Sequence, residues 1–416
     1  MATTSATEGV AAPRLARLTR GFRALRVRNY RIYWLTQIVS LTGSWMQTTA
    51  QAWLVLTLTR SALDIGLVTT LQFLPVMLLS LFGGLIADRF SKHRLILATQ
   101  TAALVQATVF GLLVRSGAIQ LWHVYVLAAV QGVITAVDHP TRQAFVMEIV
   151  GPEDRINAVG LNSMQFNLAR LLGPALAGLL IAQVGVAPAL LLNAASFVPV
   201  IGGLLLMNRN ELHPTPPAPG GSVRARLAEG LAYAWRTPEV LLILATVAVI
   251  GTFGFNFTII IPLLGGFVLH TDAAQFGALS AFVGAGALAA ATATSFARAI
   301  TLRRLLLASL AFGLLFAVLG LIPIYAVAAA LLVALGFAGI TFATTANSLL
   351  QITVPDQLRG RVTSLYILLF VGSTPVGSFL IGALSSAFGV PLAFLICGLL
   401  CLLGVGAALV YRARTA

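Results

Sequence analysis

Asp138 and Arg142 are the two charged residues in this sequence whose spacing points most directly to chemistry. They stand four residues apart, which on a helix places a carboxylate and a guanidinium on the same face. A buried carboxylate held by an arginine can leave that partner when it binds a proton, because burial favours its neutral form and the arginine favours its charged form. We therefore take Asp138 and Arg142 as proton-coupling candidates. A static ion pair that stabilises the helix ends is the alternative.

Arg170 is a second charge inside a long apolar run. It lies ~22 Å along that run at 1.5 Å per helical residue, and a central arginine costs about 2.5–3.5 kcal/mol on membrane-insertion scales. Backbone carbonyls, a distant acid or an anionic ligand could offset this cost. We predict that Arg170 lines a solute pathway and favours ligands with negative or strongly polar groups.

Other kinds of chemistry find little support. Cys397 and Cys401 share one face of the last apolar run, where small core residues are a better interpretation than a redox or metal site. His123, His139 and His270 are isolated at predicted helix ends, and no nucleotide-binding loop occurs. The sequence thus predicts that the protein is not an enzyme and has no metal site and no cofactor.

Composition indicates that these residues belong to a membrane protein. The chain is 58% hydrophobic and 9% charged, whereas a soluble domain carries about 25% charged residues. Apolar runs of about 20 residues alternate with short charged connections, and each run can cross a hydrocarbon core of ~30 Å as a helix. We predict an all-α integral membrane protein with 12 transmembrane helices. A β-barrel would need alternating polarity, which these runs lack.

The placement of positive charge predicts the orientation. Most of the 26 Lys and Arg residues fall in connections on the same side as the N-terminus. By the positive-inside rule, both termini should be cytoplasmic in a multi-pass protein of the cell membrane. The net charge of +14 is then a topology signal aided by anionic membrane lipids, and it does not indicate a nucleic-acid partner.

The chain divides into four predicted segments. A basic N-terminal segment, 1–31, precedes a six-helix bundle at 32–208, and a second bundle occupies 238–416. The cytoplasmic linker between them, 209–237, starts with a Pro- and Gly-rich stretch and continues as a predicted amphipathic helix. Its apolar face contains Leu227, Leu231 and Trp235.

The two bundles also resemble each other. Three glycines of the fifth run recur 204 residues later in the eleventh: Gly173, Gly178 and Gly185 correspond to Gly377, Gly382 and Gly389. The segment "HRLILA" at 93–98 likewise recurs as "RRLLLA" at 303–308. Chance similarity between apolar segments is the alternative, but the nearly constant offset favours a duplication. Such repeats predict two bundles related by a pseudo-twofold axis, with a substrate path between them.

Polar residues at helical spacing should mark the faces that line this path. Stripes of this kind occur in the first, fourth, fifth, seventh and tenth runs. The substrate-cavity candidates are Gln37, Ser44, Gln47, Gln51, Gln131, Asn167, Arg170, Asn256 and Thr344. Hydrogen bonds between helices explain any single one of them equally well.

The turn after the second run supplies the most specific motif. It reads "GLIADRFSKHR" from Gly84 to Arg94. Lys and Arg alone would set orientation, so the acid Asp88 requires another role, such as accepting hydrogen bonds from an arginine or a helix N-terminus. The motif resembles the loop signature G-x-x-x-D-R-x-x-R/K-R/K of the major facilitator superfamily. This resemblance implies a cytoplasmic gate formed by Gly84, Asp88, Arg89, Lys92 and Arg94, in which the acid latches the halves together when the carrier faces outward.

The fifth run carries a second family motif. Gly160, Gly173, Pro174 and Gly178 fit the pattern G-x8-G-x3-G-P-x2-G-G, with alanines in the two remaining glycine places. This pattern is similar to the antiporter-type motif of exporting members, and residues 28–100 and 138–185 resemble the branch of enterobactin exporters and macrolide-efflux proteins. A tight helix crossing with no bearing on transport direction is the alternative.

The resemblance implies a secondary active transporter that exports small amphipathic organic molecules, siderophore- or drug-like, by alternating access. Proton-coupled antiport is the expected mechanism, with the proton gradient as energy source. The expected partners are a small-molecule substrate and membrane lipids, and the protein is expected to be a monomer. A proton-coupled symporter that imports a small solute, and a non-transporting sensor or lipid-handling protein with the same fold, are the alternatives.

Overall fold

The structure is a computed structural model that describes residues 22–213, 223–295 and 300–415, and within these ranges it contains helices but no strand. Ten helices are long and apolar enough to cross a membrane. One of them, Leu121–Val184, is broken at Gly151 and contains two passes. The more polar helix Arg28–Thr59 adds another. The described ranges therefore contain twelve passes, and the predicted all-α membrane fold is confirmed.

We number the passes in chain order. The first half contains α1 (Arg28–Thr59), α2 (Ala62–Arg89), α3 (Lys92–Arg115), α4 (121–150), α5 (152–184) and α6 (Val186–Leu205). The second half contains α7 (Pro238–Val268), α8 (Ala273–Ser295), α9 (Leu302–Leu319), α10 (Tyr325–Thr353), α11 (Asp356–Phe388) and α12 (Val390–Thr415). The backbone of α7 is interrupted at 254–256 and that of α11 at 371–373.

Local sequence signals fix several helix ends. The hydroxyl of Ser61 accepts a hydrogen bond from the backbone N–H of Asp64 (3.2 Å) at the start of α2, and Thr301 caps α9 in the same way. Gly185 ends α5 with φ 87° and Gly389 ends α11 with φ 82°. Glycine adopts such angles without steric cost, so the same residue type stops the equivalent helix in each half.

Two membrane sides are distinguished below. The basic side carries the turn at Phe90–Ser91, the break at Gly151 and the turn at Val354–Pro355. The opposite side carries the connections at Arg60–Ser61, Gly185 and Gly389. Consecutive passes run in opposite directions. Each of these connections therefore lies on one side of the membrane and joins a pass that arrives there to the pass that leaves.

Helix packing is the same in both halves. In each, the first pass packs on the fifth, the second on the fourth, and the third on the sixth. Glycines allow the closest of these approaches. A Cβ at Gly132 of α4 would clash with the carbonyl of Gln72, and one at Gly336 of α10 with the carbonyl of Val283. Gly132 and Gly336 occupy equivalent positions in the two halves, and each packs on the second pass of its own half. The predicted relation between the two bundles is confirmed.

The halves meet each other at the opposite side. There, α5 packs on α8 through Gly178 and Gly277, and α2 packs on α11 through Gly66 and Gly382. A Cβ at Gly178 would lie 2.9 Å from the Cα of Gly277, and a Cβ at Gly66 would lie 3.0 Å from the Cα of Gly382. These backbones are therefore in direct contact.

The halves are separated at the basic side. A Cβ added to Gly84 of α2, Gly160 of α5 or Gly360 of α11 would have no neighbouring atom within 4 Å, in contrast to the glycines at the other end of each helix. The space between the halves consequently opens towards the basic side.

The linker contributes one helix, Val223–Arg236, and its preceding residues 214–222 lie outside the described ranges, as do residues 1–21 of the predicted N-terminal segment. Glu229 of the linker helix forms an ion pair with Arg361 of α11, and Gly230 lies against the same arginine. Leu231 and Trp235 are exposed, at 48% and 66%, whereas the side chain of Leu227 is outside the described part. The four predicted segment boundaries stay predictions.

Candidate functional site: a polar chamber and a central cavity

The first half contains a buried acid–base centre. Asp138 of α4 is 8% exposed and forms an ion pair with Arg142 one turn along the same helix. Its carboxylate also accepts hydrogen bonds from the hydroxyl of Thr99 (2.7 Å) and the amide of Gln100 (2.9 Å), both on α3. These contacts explain why α3 carries polar residues although it is a peripheral helix. The carboxylate of Asp138 thus accepts hydrogen bonds from three side chains.

A chamber of about 250 Å³ surrounds this centre. It lies among α1, α3, α4, α5 and α6, and the predicted residues Gln37, Ser44 and Gln131 line it together with Asp138 and Arg142. Several polar atoms in it are buried without a hydrogen-bond partner in the described residues: Tyr33 Oη, Gln37 Nε2 and Oε1, Gln100 Oε1 and Arg142 Nε. Since buried polar groups are costly without a partner, a chamber with this lining is suited to water or a polar group.

The other two glutamines of α1, Gln47 and Gln51, make hydrogen bonds to neighbouring helices, and their place on the path stays a prediction. Gln47 donates to Gln106 of α3 (3.2 Å) and accepts a hydrogen bond from Asn193 of α6 (2.6 Å). Gln51 donates to Gln72 of α2 (3.2 Å). Both side chains therefore connect helices within the first half. Helical spacing alone does not show that a polar residue faces the cavity. Residues three and four apart cover a wide helix face, and part of that face contacts α3 and α6.

A second cavity, of about 180 Å³, lies between the two halves. Its walls come from α1, α2, α5, α7, α8 and α11, and five aromatic rings line it: Trp45, Phe73, Phe255, Phe257 and Phe276. The polar residues Thr48, Ser280 and Thr374 also line it. We refer to it as the central cavity. At the opposite side it is closed by the glycine contacts and by Trp53 and Phe276, whose ring centroids are 5.1 Å apart.

Among the described residues, Arg170 is the only charged one that lines the central cavity. Asn167, one turn earlier on α5, accepts a weak hydrogen bond from the Arg170 guanidinium (3.4 Å). No acid within the described ranges pairs with Arg170. The cavity consequently carries a positive charge within an aromatic wall.

The break in α7 positions two of the aromatic rings. The side-chain amide of Asn256 donates to the carbonyls of Gly251 (3.1 Å) and Thr252 (2.8 Å), which lie at the end of the first part of α7. The chain leaves the helix at Gly254, and Phe255 and Phe257 point into the central cavity. The Asn256 amide nitrogen thus satisfies the interrupted backbone, while its oxygen is buried without a partner in the described residues. Asn256 is absent from the described lining of the central cavity, and its place on the path stays a prediction. The signal for the two rings is the glycine and asparagine beside them in "GFNF".

Two further predicted residues lie outside both cavities. The hydroxyl of Thr344 donates to the carbonyl of Ile340 (2.7 Å) in its own helix. The amide of Asn167 donates to the carbonyl of Ser163 (2.8 Å) and reaches the central cavity only through Arg170. Neither lines the described central cavity.

The motif turn between α2 and α3 is open. Asp88, Arg89 and Arg94 are exposed, and Asp88 makes no hydrogen bond or ion pair with the described residues. Lys92, in contrast, forms an ion pair (2.9 Å) with Glu148 of α4, within the same half. Gly84 has no neighbour, and the adjacent Gly83 makes the close approach, against the carbonyl of Ala136.

The α5 motif residues divide into two contacts. Gly173 packs on α1, where a Cβ would lie 2.5 Å from that of Trp45, and Gly178 packs on α8 of the other half. Pro174 lines the central cavity and its carbonyl faces Gly277. Gly160 is exposed and makes no such contact. The motif therefore contributes both to a helix contact within the first half and to the contact between the two halves.

Twelve passes in two similarly packed six-helix halves, with a cavity between them, define a transporter of the major facilitator superfamily. The family model for transmembrane secretion effectors matches residues 19–416, and the chain belongs to this family. The predicted resemblance to the superfamily is confirmed, and the protein is a transporter and not an enzyme.

Characterised relatives are similar over most of their length. The staphyloferrin A transporter of Staphylococcus aureus is 27% identical over 86% of this chain and 89% of its own. The multidrug efflux pump Tap of Mycolicibacterium fortuitum is 27% identical over 89% and 93%, and the enterobactin exporter EntS of Citrobacter koseri is 24% identical over 86% and 85%. A crystal structure of a bacterial homologue of the lysosomal transporter Spinster, inward-facing and unoccupied, aligns with a TM-score of 0.71 at 14% identity and covers 93% of this chain and 96% of its own.

Proposed function

We propose that the protein exports amphipathic organic molecules that carry a negative or strongly polar group, by proton-coupled antiport across the cell membrane. The central cavity carries this proposal, since it combines five aromatic rings with one guanidinium that has no acidic partner among the described residues. Aromatic surface accommodates varied apolar bodies, and a guanidinium selects an oxyanion through charge-assisted hydrogen bonds. The relatives named for export and efflux support the direction.

The proposed orientation places the basic side in the cytoplasm, with both termini there. The positive-inside distribution supports it. The structure then corresponds to an inward-facing carrier, whose central cavity is reached from the cytoplasm. A volume of about 180 Å³ is smaller than the 300–1,000 Å³ of typical ligand pockets, so the bound molecule would extend into the open cleft below.

Alternating access requires a second arrangement in which the basic side closes. Asp88 is exposed and free of partners among the described residues, which suits a latch that forms only in that arrangement. Its partner would come from the second half. In exchange, the contacts of Gly178 with Gly277 and of Gly66 with Gly382 would separate.

Proton coupling is proposed for Asp138. Three donors contact its carboxylate, and the adjoining chamber has polar walls through which water can deliver a proton. Protonation would release Arg142 and weaken the contacts of α4 with α3. The first half would then change shape with its protonation state.

The proposal is tested by expression in an efflux-deficient bacterial strain, screened against a panel of anionic, neutral and cationic amphipathic compounds with and without an uncoupler. We expect lower accumulation of anionic members, reversed by the uncoupler. Higher accumulation of any compound would indicate an importing symporter. Absence of flux, together with absence of ligand-dependent thermal stabilisation, would indicate a non-transporting protein.

A further inference from the structure

Two grooves on the outer surface of the helix bundle repeat the same residues. The first lies between α3 and α4 and is lined by Arg94, Leu97 and Ala98 of α3 and by Val133 and Ile134 of α4, among others. The second lies between α9 and α10 and is lined by Arg304, Leu307, Ala308, Phe337 and Ala338. Each residue named for the first groove corresponds to one of the second by the offsets that relate the two halves. The duplication has therefore preserved a surface groove with an arginine at its end.

Both grooves face away from the central cavity. Val105, Val126 and Val133 in the first groove are 46–53% exposed, and Leu307 in the second is 55% exposed. In a membrane protein such apolar faces contact lipid. The first groove extends from Arg94 to Val109, ~22 Å at 1.5 Å per residue, which spans more than one leaflet of a ~30 Å hydrocarbon core.

The arginines stand where a lipid headgroup lies. Arg94 is the third residue of α3, and Arg303 and Arg304 are the second and third of α9, all at the basic side. None of the three has an acidic partner among the described residues, where the guanidinium of Arg304 donates only to the hydroxyl of Thr294 (2.9 Å). Positive side chains in the first helical turn also oppose the helix dipole, so a bound anion would relieve an unfavourable arrangement.

We propose that each groove binds one anionic phospholipid of the leaflet at the basic side, with an acyl chain in the groove and the phosphate on Arg94 or on Arg303 and Arg304. An acyl chain gains little by leaving bulk lipid for the groove, since lipid tails are as apolar as the groove wall. Selectivity must therefore come from the headgroup, and one basic residue near the surface corresponds to about fivefold enrichment of an anionic lipid. The groove at α3 and α4 is larger, about 1100 against 360 Å³, and should retain its lipid longer.

Native mass spectrometry tests this proposal on the full chain purified in mixed micelles of phosphatidylglycerol and phosphatidylcholine. We expect up to two retained phosphatidylglycerol molecules, enriched about fivefold over phosphatidylcholine per arginine. Arg94→Gln should remove one, Arg303→Gln with Arg304→Gln the other, and Arg94→Lys should keep the first. Arg89→Gln is the matched control, because Arg89 is exposed on the same side but lines neither groove.

A second variant separates the groove from a diffuse charge effect. Val130→Trp fills the first groove without changing charge and should remove the same lipid as Arg94→Gln. Retention unaffected by these substitutions, an equal loss with Arg89→Gln, or equal retention of phosphatidylcholine would overturn the proposal. Since lipid retention is measured without transport, its failure leaves the proposed export function untouched.

Discussion

The two halves pack their helices in the same order, but the side chains at equivalent helix contacts differ. The offset that relates Gly132 to Gly336 relates Asp138 to Phe342, and the offset between the third and ninth passes relates Gln106 to Phe316. The first half is joined by amides and a buried ion pair. The second half is joined by aromatic rings, with Phe255 and Phe370 4.7 Å apart and Phe316 and Phe394 5.1 Å apart between ring centroids.

This difference separates two tasks that a proton-coupled carrier must perform. A half with a buried carboxylate can respond to protonation inside the bundle, whereas a half whose acids are all exposed has no such group. The acids of residues 223–415 are confined to the linker helix and to the ends of passes: Glu229, Glu239, Asp272 and Asp356. We infer that the first half senses the proton and that the second provides an apolar wall for the substrate. Four experiments test this division of tasks.

The largest effect is expected from Asp138→Asn. It removes the proposed proton site but keeps the hydrogen bonds from Thr99 and Gln100 feasible. Gradient-driven efflux should fall to background while exchange of substrate across the membrane persists, because exchange needs no net proton movement. Flux measurements in proteoliposomes check this. Asp64→Asn is the control, since Asp64 accepts a hydrogen bond from Tyr125 (2.8 Å) far from the chamber. Unchanged driven efflux in Asp138→Asn would reject the division of tasks.

Arg170→Gln should give the next largest effect. Loss of a charge-assisted hydrogen bond worth about 1.5–3 kcal/mol corresponds to roughly 10- to 150-fold weaker binding of an anionic substrate. Arg170→Lys should retain part of the affinity, and a neutral analogue should be little affected by either. Equilibrium binding to purified protein measures all three. Equal losses for anionic and neutral ligands would show that Arg170 has a structural role only.

The glycine contacts that join the halves at the opposite side can be tested with equivalent substitutions in each half. Gly178→Val and Gly382→Val each insert a side chain where backbones touch, which costs the arrangement seen in this structure about 1–3 kcal/mol. Both should reduce thiol labelling of a Gly160→Cys reporter at the basic side to a similar extent. The control Gly406→Val has no neighbour within 4 Å. A response from only one of the two glycines would contradict an equivalent role for the halves.

The smallest effect distinguishes two glutamines of the same helix. Gln47→Leu removes the donor to Gln106 Oε1 and the acceptor of Asn193 Nδ2, and it should destabilise the protein by about 1–3 kcal/mol. Gln37→Leu removes a side chain with no partner in the described residues and should be neutral or stabilising. Thermal unfolding in detergent compares them. A lower melting temperature for Gln37→Leu than for Gln47→Leu would contradict the assigned contacts.

The fold is predictable from the sequence because its signals are strong in a membrane protein. Apolar length determines the passes, and the glycine spacing of α5 and α11 predicts the repeat. Gly173 and Gly178 can be recognised because close helix packing requires glycines at a regular spacing along the helix. Gly160 matches the same pattern and yet makes no contact, since the halves are apart at its level.

The candidate site is predictable less completely. Asp138, Arg142, Gln37 and Arg170 line cavities, where water or a polar ligand can offset the cost of burying them. Gln47 and Asn256 cannot be assigned from sequence, since an amide that lines a cavity and one that joins helices look alike there. The aromatic wall of the central cavity escapes prediction, because Phe255 and Phe276 are indistinguishable from lipid-facing residues until the break in α7 is known.

Measuring substrate uptake into inside-out vesicles tests most directly whether a polar, proton-sensing half and an aromatic half together export an anionic solute. With a vesicle interior more acidic than the medium, we predict that an anionic amphipathic substrate accumulates inside, that the accumulation collapses with an uncoupler, and that it is absent in Asp138→Asn. Accumulation in right-side-out vesicles under an inward proton gradient, or accumulation that Asp138→Asn leaves intact, would show that the halves do not work in this way.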